Sequence, residues 1–388
     1  MLHAADLSND IAEALDAVRQ PTARAKGLPN ALYNTPEALA LERAKVFHSG
    51  WASIGFGCDV PNPGDAAPID YLGAPLLLLR DKSGAIRVFE NVCRHRGMIL
   101  VEEKKNFGGV IRCPYHSWCY SLDGKLRATP HVGGPGVNTH ESVDPETTGL
   151  TEVRSATLQD VVFVNLDGKA PGFDEWSAGL RGLLGDFVGR PLFHGGPESG
   201  FSFDLATNWK LIVENNAESY HLPWVHPGLN SYSRLEDHYH LEERGGYSGQ
   251  GTLVYDPDYG EKAFPDFPDL PERWRRSAEY PCFYPNTFFS VHRDHVWAAH
   301  LDPKACDRTI ERIEIYYTTE EAATSLEFRE MRVENAARWK AVLTEDIFVT
   351  EGMQKGRGAP GFAGGVFSPV MDSPTHAFHA WIAERLAS

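Results

Sequence analysis

Cysteine and histidine recur here in two short pairs, Cys93-Arg94-His95 and Cys113-Pro114-Tyr115-His116, with 17 residues between them. Two such pairs on turns between strands can close on one metal centre. Zinc held by two Cys and two His is one outcome. Against it, C-x-H sets the ligands closer than in the usual zinc finger, and no finger helix follows. A [2Fe–2S] cluster, with two Cys on one iron and two His on the other, suits the strand-rich contexts NVCRHRG and RCPYHSW. A second set lies in NWKLIVENNAESYHLPWVHP, residues 208–227. Two His and a carboxylate with open positions can hold Fe(II). The spacing Glu218-x-x-His221-x4-His226 alone fits structural or surface histidines equally well.

Trp209, Ile212 and Val213 recur at helical spacing, and Thr207 or Asn208 can cap their first turn. Pro223 predicts the end of that helix near His221, with His226 on the turn after it. Glu218 is then one turn before His221, and Glu214 four before Glu218, a like-charge spacing that costs a plain helix. Upstream, WASIGFG, PLLLLRD, IRVFENV, GVIRCPY and VVFVNLD read as short strands cut by Gly, Pro and Asp. They predict a β domain over 45–166, after a helical lead-in over 1–44 that packs on a second domain, 167–388. In that domain 176–187 predicts a short helix, FSFDLAT a strand, 228–275 mostly loop, and FFSVHRDHVWAAHL with TIERIEIYY antiparallel strands. A long helix over about 324–355 and a last one near 376–386 follow. The fold class is α+β.

C-R-H-R-G, C-P-Y-H-S-W, then N-W-K-L…E-N…E-S-Y-H…H-P resemble, in order and separation, the catalytic α subunit of Rieske-type non-haem iron oxygenases. The resemblance covers nearly the whole chain. It implies a Rieske β domain, a helix-grip (START-like) catalytic domain with an antiparallel sheet around a long C-terminal helix, and an α3 or α3β3 ring. It further implies Cys93, His95, Cys113 and His116 on a [2Fe–2S] cluster and His221 and His226 on a mononuclear Fe(II). In that family Glu218's counterpart links a cluster histidine of one subunit to an iron histidine of the next. A Glu at this place resembles the group acting on choline, carnitine, glycine betaine and stachydrine. Ser219 and Leu222 depart from that group's pattern, and aromatic or other small organic acids stay open as substrates.

The family takes its third iron ligand from a C-terminal helix. Phe328, Met331, Asn335, Trp339, Val342, Asp346, Val349 and Met353 form one mostly apolar stripe on such a helix. Asp346 is its one carboxylate, and a buried carboxylate needs a cation: the iron, or else an Arg. Glu345 and Glu351 fall off the stripe. T-E-D-I-F-V-T-E-G-M-Q-K-G also resembles the family's E-D…Q-x-G motif.

The formal charge of −16 argues against nucleic-acid or anionic-membrane partners. No apolar run approaches a membrane span, and six cysteines without regular spacing suit a reducing cytoplasm. No G-x-G-x-x-G opens a helix after a strand. Electrons are therefore expected from a separate flavin/iron–sulfur reductase or a ferredoxin. Arg94, Arg96, Lys104, Lys105 and Arg112 form a basic patch that could dock an acidic donor or simply face solvent. Tyr220, Trp224, Phe288 and Trp297 are pocket candidates for a cationic substrate, or core. His238, His240, His292, His295 and His300 carry no ligand pattern. The reading from another class is a zinc- or ligand-binding helix-grip protein without catalysis.

Overall fold

The computed structural model describes residues 9–243, 246–257 and 263–387. Residues 1–8 of the expected lead-in lie outside these. The chain divides into two compact units, residues 53–170 and residues 1–52 with 171–388. The expected limits of 45 and 166 therefore shift. The wide-turned helix Arg43–His48 packs on the final helix Ser373–Ala387, and Trp51 Nε1 donates to Pro171 O at 3.0 Å.

The 53–170 unit is built from strands and turns. Ile86–Glu90, Ala74–Arg80, Asp65–Tyr71 and Lys105–Asn106 form an antiparallel sheet in that order. Leu76, Leu77, Leu78 and Leu79 are all buried, as in a strand covered on both faces. Val110–Arg112, Cys119–Ser121 and Leu126–Ala128 form a second sheet; Ala52–Phe56, Val161–Asn165 and Arg154–Leu158 form a third. A core that includes Leu77, Phe89, Ile111, Trp118 and Tyr120 extends to Cys93 and Cys113. The loops bearing the metal motifs are thus rooted in packed interior.

Among the described residues the other unit holds an eight-stranded antiparallel sheet. Its order is Phe193–His194, Arg308–Tyr317, His295–Ala305, Thr287–Val291, Ala278–Phe283, Tyr247–Thr252 and His238–Glu243; Gly200–Leu205 also pairs with Arg308–Tyr317. The last two strands of the order fall where the sequence predicts loop. Gly249 and Gly251 mask their pattern, yet Gly251 is there for close approach: a Cβ on it would lie 2.5 Å from the ring of its cross-strand partner Tyr239. The expected helix over 176–187 is two short ones, Phe173–Trp176 and Ala178–Leu183.

The helix Trp209–Asn216 is capped by Asn208, whose side chain accepts from Lys210 N at 3.0 Å. Nearly all of it is buried, charges included. Lys210 Nζ lies 2.6 Å from Glu42 Oε1. Glu214 Oε1 accepts from Tyr33 OH at 2.5 Å and lies 3.1 Å from His379 Nε2, and Oε2 lies 3.4 Å from Arg357 Nη2. Buried charges persist when paired and hydrogen-bonded. These pairs explain an acid at 214 and pin the lead-in and the last helix to this one.

Two expected helices are shorter than predicted. The 209–216 helix ends five residues before His221. Pro223 does not terminate it; Pro223 sits in the first turn of a new helix, Leu222–Val225, where a missing N–H costs nothing. The helix expected over 324–355 is Arg329–Glu345 and Ile347–Gly356, broken at Asp346. The Asp346 N–H bonds to Thr344 O, which ends the first helix, while Asp346 O accepts from Val349 N at 3.1 Å and Thr350 N at 3.0 Å, which opens the second.

Candidate metal centres

The two Cys-His loops of the β unit are built alike. Cys93 N bonds to Met98 O and Cys113 N to Trp118 O, both at 2.8 Å. Each cysteine carbonyl accepts from the residue four later, Gly97 at 3.0 Å and Ser117 at 3.1 Å. Both of those residues have positive φ, 72° and 57°, which Gly97 adopts freely and Ser117 does not. Cys93 and Cys113 are buried, whereas His95 is exposed and His116 half-buried. The imidazoles meet at 4.6 Å between centroids, and His95 stacks on Trp118 at 4.7 Å. The Tyr120 hydroxyl accepts from Arg94 N at 3.1 Å and lies 3.3 Å from Cys93 Sγ, to which it would donate once that sulfur is a metal-bound thiolate. Burial pushes the Cys93 thiol up, partly offset by that hydrogen bond. Two thiols side by side in apolar core and a buried His116 Nδ1 without a partner are an unsatisfied donor set of the kind a two-Cys, two-His cluster completes. Arg94, Arg96, Lys104, Lys105 and Arg112 are all exposed.

In the other unit His221, His226 and Asp346 offer ligand atoms within 4.8 Å of one another. His221 caps the helix Leu222–Val225, and His226 separates it from Pro227–Asn230. Asp346 arrives from the break between the two C-terminal helices. His221 Nδ1 lies 2.6 Å from Glu218 Oε1 and His226 Nδ1 2.8 Å from Glu345 Oε2. Carboxylates only accept, so both Nδ1 atoms carry the protons and both Nε2 atoms present lone pairs. Those Nε2 atoms stand 3.7 Å and 2.9 Å from Asp346 Oδ1. Oδ1 is itself buried without a hydrogen-bond donor in bonding geometry. Three acceptors facing one point repel unless a cation lies among them, so the residues fit a metal ion. Without one, a proton is drawn in. Burial opposes charge on His226, but Asp346 and Glu345 outweigh it and raise its pKa.

Glu345, a weaker candidate in the sequence because it lies off the stripe, is brought to His226; its adjacency to Asp346 was the available signal. Among the five unassigned histidines, His238 joins the site. Its Nδ1 donates to Gln250 Oε1 at 2.6 Å, and Gln250 Nε2 donates to Glu218 O at 3.0 Å. Burial holds its pKa low. A cavity lined by His221, His226 and Asp346 is lined also by Tyr280, Trp297, Trp339, Val342 and Leu343. A second cavity shares Asp346 and adds Phe288 and Glu311. Burial and the nearby Asp346 push the Glu311 carboxyl up to about 8. Of the aromatic candidates Trp297 and Phe288 therefore line cavities, while Tyr220 and Trp224 are 43% and 71% exposed.

Residues 50–141 match the Rieske [2Fe-2S] domain and residues 196–388 the ring hydroxylating alpha subunit catalytic domain. The chain is 31% identical over 241 residues to the glycine betaine monooxygenase oxygenase subunit of Chromohalobacter salexigens, a match covering 61% of this chain and 52% of that protein. It is 25% identical to the carnitine monooxygenase oxygenase subunit of Acinetobacter baumannii, over 87% of this chain and 86% of that one. The fold is that of a quaternary ammonium Rieske monooxygenase (TM-score 0.73, 22% identity, 98% of both chains) and of naphthalene 1,2-dioxygenase from Rhodococcus sp. (TM-score 0.77, 18% identity, 98% of both). No helix among the described residues is long and apolar enough to cross a membrane. With a Rieske domain, a ring-hydroxylating catalytic domain and the donor sets for a [2Fe–2S] cluster and a mononuclear iron, the chain belongs to the α subunits of the Rieske-type non-haem iron oxygenases.

Proposed function

We propose that this chain is the oxygenase component of a multicomponent system that hydroxylates or N-demethylates a small quaternary ammonium compound with O2 and NAD(P)H-derived electrons. The observation that carries the substrate class is the cavity wall. Tyr280, Trp297 and Trp339 line it together with His221, His226 and Asp346, and none of its described lining residues is Lys or Arg. Aromatic faces attract a cation. An aromatic acid would find no Lys or Arg there for its carboxylate, and a carboxylate taken up by the iron would occupy a position that O2 needs.

When bound, the cluster passes single electrons and the iron activates O2. His221, His226 and Asp346 are the proposed iron ligands; Cys93, His95, Cys113 and His116 hold the cluster. Glu218 and Glu345 fix the tautomer and orientation of the two iron histidines by holding their Nδ1 protons. Glu218 is further assigned the bridge from His221 to a cluster histidine of a neighbouring subunit in a homotrimer. One oxygen atom enters a C–H bond and the other leaves as water after two electrons and two protons; a hydroxymethyl amine then loses formaldehyde. The electrons come from a separate flavin/iron–sulfur reductase, or a ferredoxin, docked on the exposed patch of Arg94, Arg96, Lys104, Lys105 and Arg112. Among the described residues no cysteine is in a disulfide, and four remain thiols beside Cys93 and Cys113, which fits work in the cytoplasm.

The test is NADH-driven O2 uptake with a generic reductase and a panel of choline, carnitine, glycine betaine, stachydrine and aromatic acids. The expected result is uptake coupled to formaldehyde with a quaternary amine. Coupled turnover with aromatic acids alone overturns the substrate class.

A further inference from the structure

Glu311 is a buried acid that the sheet itself does not use. It lies within the strand Arg308–Tyr317, opposite Leu301 on one side and Phe203 on the other. It shares its inward face with Ile313 and Ile315, and is 5% exposed. Burial and the charge of Asp346 act on its carboxyl; among the described residues no hydrogen bond and no cation does. An acid so placed costs stability, and its apolar cross-strand neighbours give no structural reason for it.

Glu311 lines a cavity with Phe288. That cavity adjoins the aromatic one, since Asn215, Asn216, Leu343 and Asp346 line both. Among the described lining residues of the two, Asp346 and Glu311 are the only acids, and none is Lys or Arg. Asp346 is engaged as a proposed iron ligand. Glu218 and Glu345 hold the far nitrogens of the imidazoles and line neither cavity. Glu311 is the one cavity acid left to face a substrate.

We propose that Glu311 is the counter-charge for the substrate's quaternary nitrogen and so selects a cation over a neutral molecule of the same shape. This rests on the quaternary ammonium reading above and adds the residue that enforces it. A quaternary nitrogen has no N–H to donate, so aromatic faces and a nearby carboxylate are what can hold it. Aromatic faces attract through their quadrupole and do not balance a full charge taken out of water. The iron centre does not balance it either, because a divalent ion with two neutral imidazoles and one carboxylate keeps a positive charge. An acid in the adjoining cavity offsets both effects. In return the bound cation favours the charged form of Glu311, which burial opposes.

The test is anaerobic calorimetric binding to the iron-loaded holoenzyme. Choline, glycine betaine and carnitine are each compared with the tert-butyl analogue in which carbon replaces the nitrogen. For an accepted amine the parent should bind the cation about tenfold or more tighter than its analogue. Glu311→Gln should lose most of that preference by weakening the cation and leaving the analogue unchanged. Glu311→Asp, which keeps the charge, should retain part of it. Glu311→Leu should lose the preference too and, with an unpaired buried acid removed, resist denaturant at least as well as the parent. Iron and cluster content are measured in every variant. A parent that prefers the cation and a Glu311→Gln variant with the same preference overturn the inference and leave the substrate class standing. So does an equal loss for cation and analogue, or a loss that follows iron content. A parent that binds no quaternary amine removes the substrate class and the inference with it.

Discussion

Glu345 Oε2 stands 2.8 Å from His226 Nδ1, so the residue that precedes Asp346 holds the far nitrogen of an imidazole whose near nitrogen faces Asp346. Two adjacent acids at a helix break thereby grip one histidine from both ends. The first prediction separates their roles. Asp346→Ala should lose the mononuclear iron and keep the Rieske absorption. Glu345→Ala should keep iron as isolated and lose it on dialysis, with affinity lower by about 10–100-fold. Glu345→Gln, which can still accept through its amide oxygen, should fall between. Iron analysis against dialysis time checks all three. Full iron retention in Glu345→Ala would leave that carboxylate as a surface acid.

Tyr120 gives a prediction at the other centre. Its hydroxyl lies 3.3 Å from Cys93 Sγ and would donate to that sulfur as a cluster thiolate, and hydrogen bonds to cluster sulfurs help set the potential. Removing a donor concentrates negative charge on sulfur and disfavours adding an electron. Tyr120→Phe should keep the visible spectrum and lower the midpoint potential; Cys93→Ser should bleach the protein altogether. Redox titration measures the first and absorption the second. A brown protein after Cys93→Ser, or zinc without acid-labile sulfide in the parent, would contradict the cluster assignment.

The metal motifs were legible because short loops place their ligands nearly by themselves. C-R-H-R-G and C-P-Y-H-S need only one residue of positive φ each to turn both side chains to one side. That Asp346 meets His221 and His226 was legible because an acid on an apolar stripe is costly without a partner. The helix break at Asp346 was not, since the apolar stripe runs straight through it and the break lies in the backbone, where the Asp346 N–H turns to Thr344 O. Glu311 could have been found. In TIERIEIYY it shares the inward parity of Ile313 and Ile315, both fully buried, which marks an acid on the core face. The contact of Trp339 with His295 could not, because a strand and a helix 44 residues apart bring them together. The strands at 238–252 were hidden by glycines that serve the packing of Tyr239.

The buried pairs around the 209–216 helix make stability depend on pH. Burial alone would raise the Glu214 carboxyl, but His379, Arg357 and Tyr33 outweigh it and hold its pKa below the ordinary 4.5. A carboxyl depressed in the folded state stabilises fully above its unfolded value and loses that contribution as pH falls through the folded one. Chemical denaturation should therefore show stability falling below about pH 4.5. Glu214→Gln should cost roughly 3–5 kcal/mol at neutral pH, since it leaves Arg357 buried without its anion, and should flatten that acid slope. Equal stability of variant and parent at pH 7 would mean that the network is neutral.

The last prediction concerns where the electron crosses. Glu218 ligates nothing in the proposed assignment, yet its Oε1 holds His221 Nδ1 at 2.6 Å and its Oε2 accepts from the backbone N–H groups of Tyr220 and His221. The carboxylate is thus fixed rather than swinging, with a side chain that is 15% exposed. If a neighbouring subunit's His95 or His116 meets it there, removal should interrupt electron transfer without emptying either centre. Glu218→Gln should hold iron less tightly, as is expected of Glu345→Gln, yet with iron replenished it should keep both centres, bind substrate, and turn over poorly. Single-turnover kinetics should show slow cluster oxidation in the presence of substrate and O2. A role confined to orienting His221 predicts instead weaker iron binding with normal transfer in the molecules that retain iron. Subunit mixing decides between chains. Cys93→Ser subunits lack a cluster and His226→Ala subunits lack the iron, so each homo-oligomer should be inactive. In mixed rings an intact cluster can face an intact iron across the subunit boundary, and part of the activity should return. Rings shown by mass to be mixed that remain inactive would confine transfer to one chain and remove Glu218 from the path.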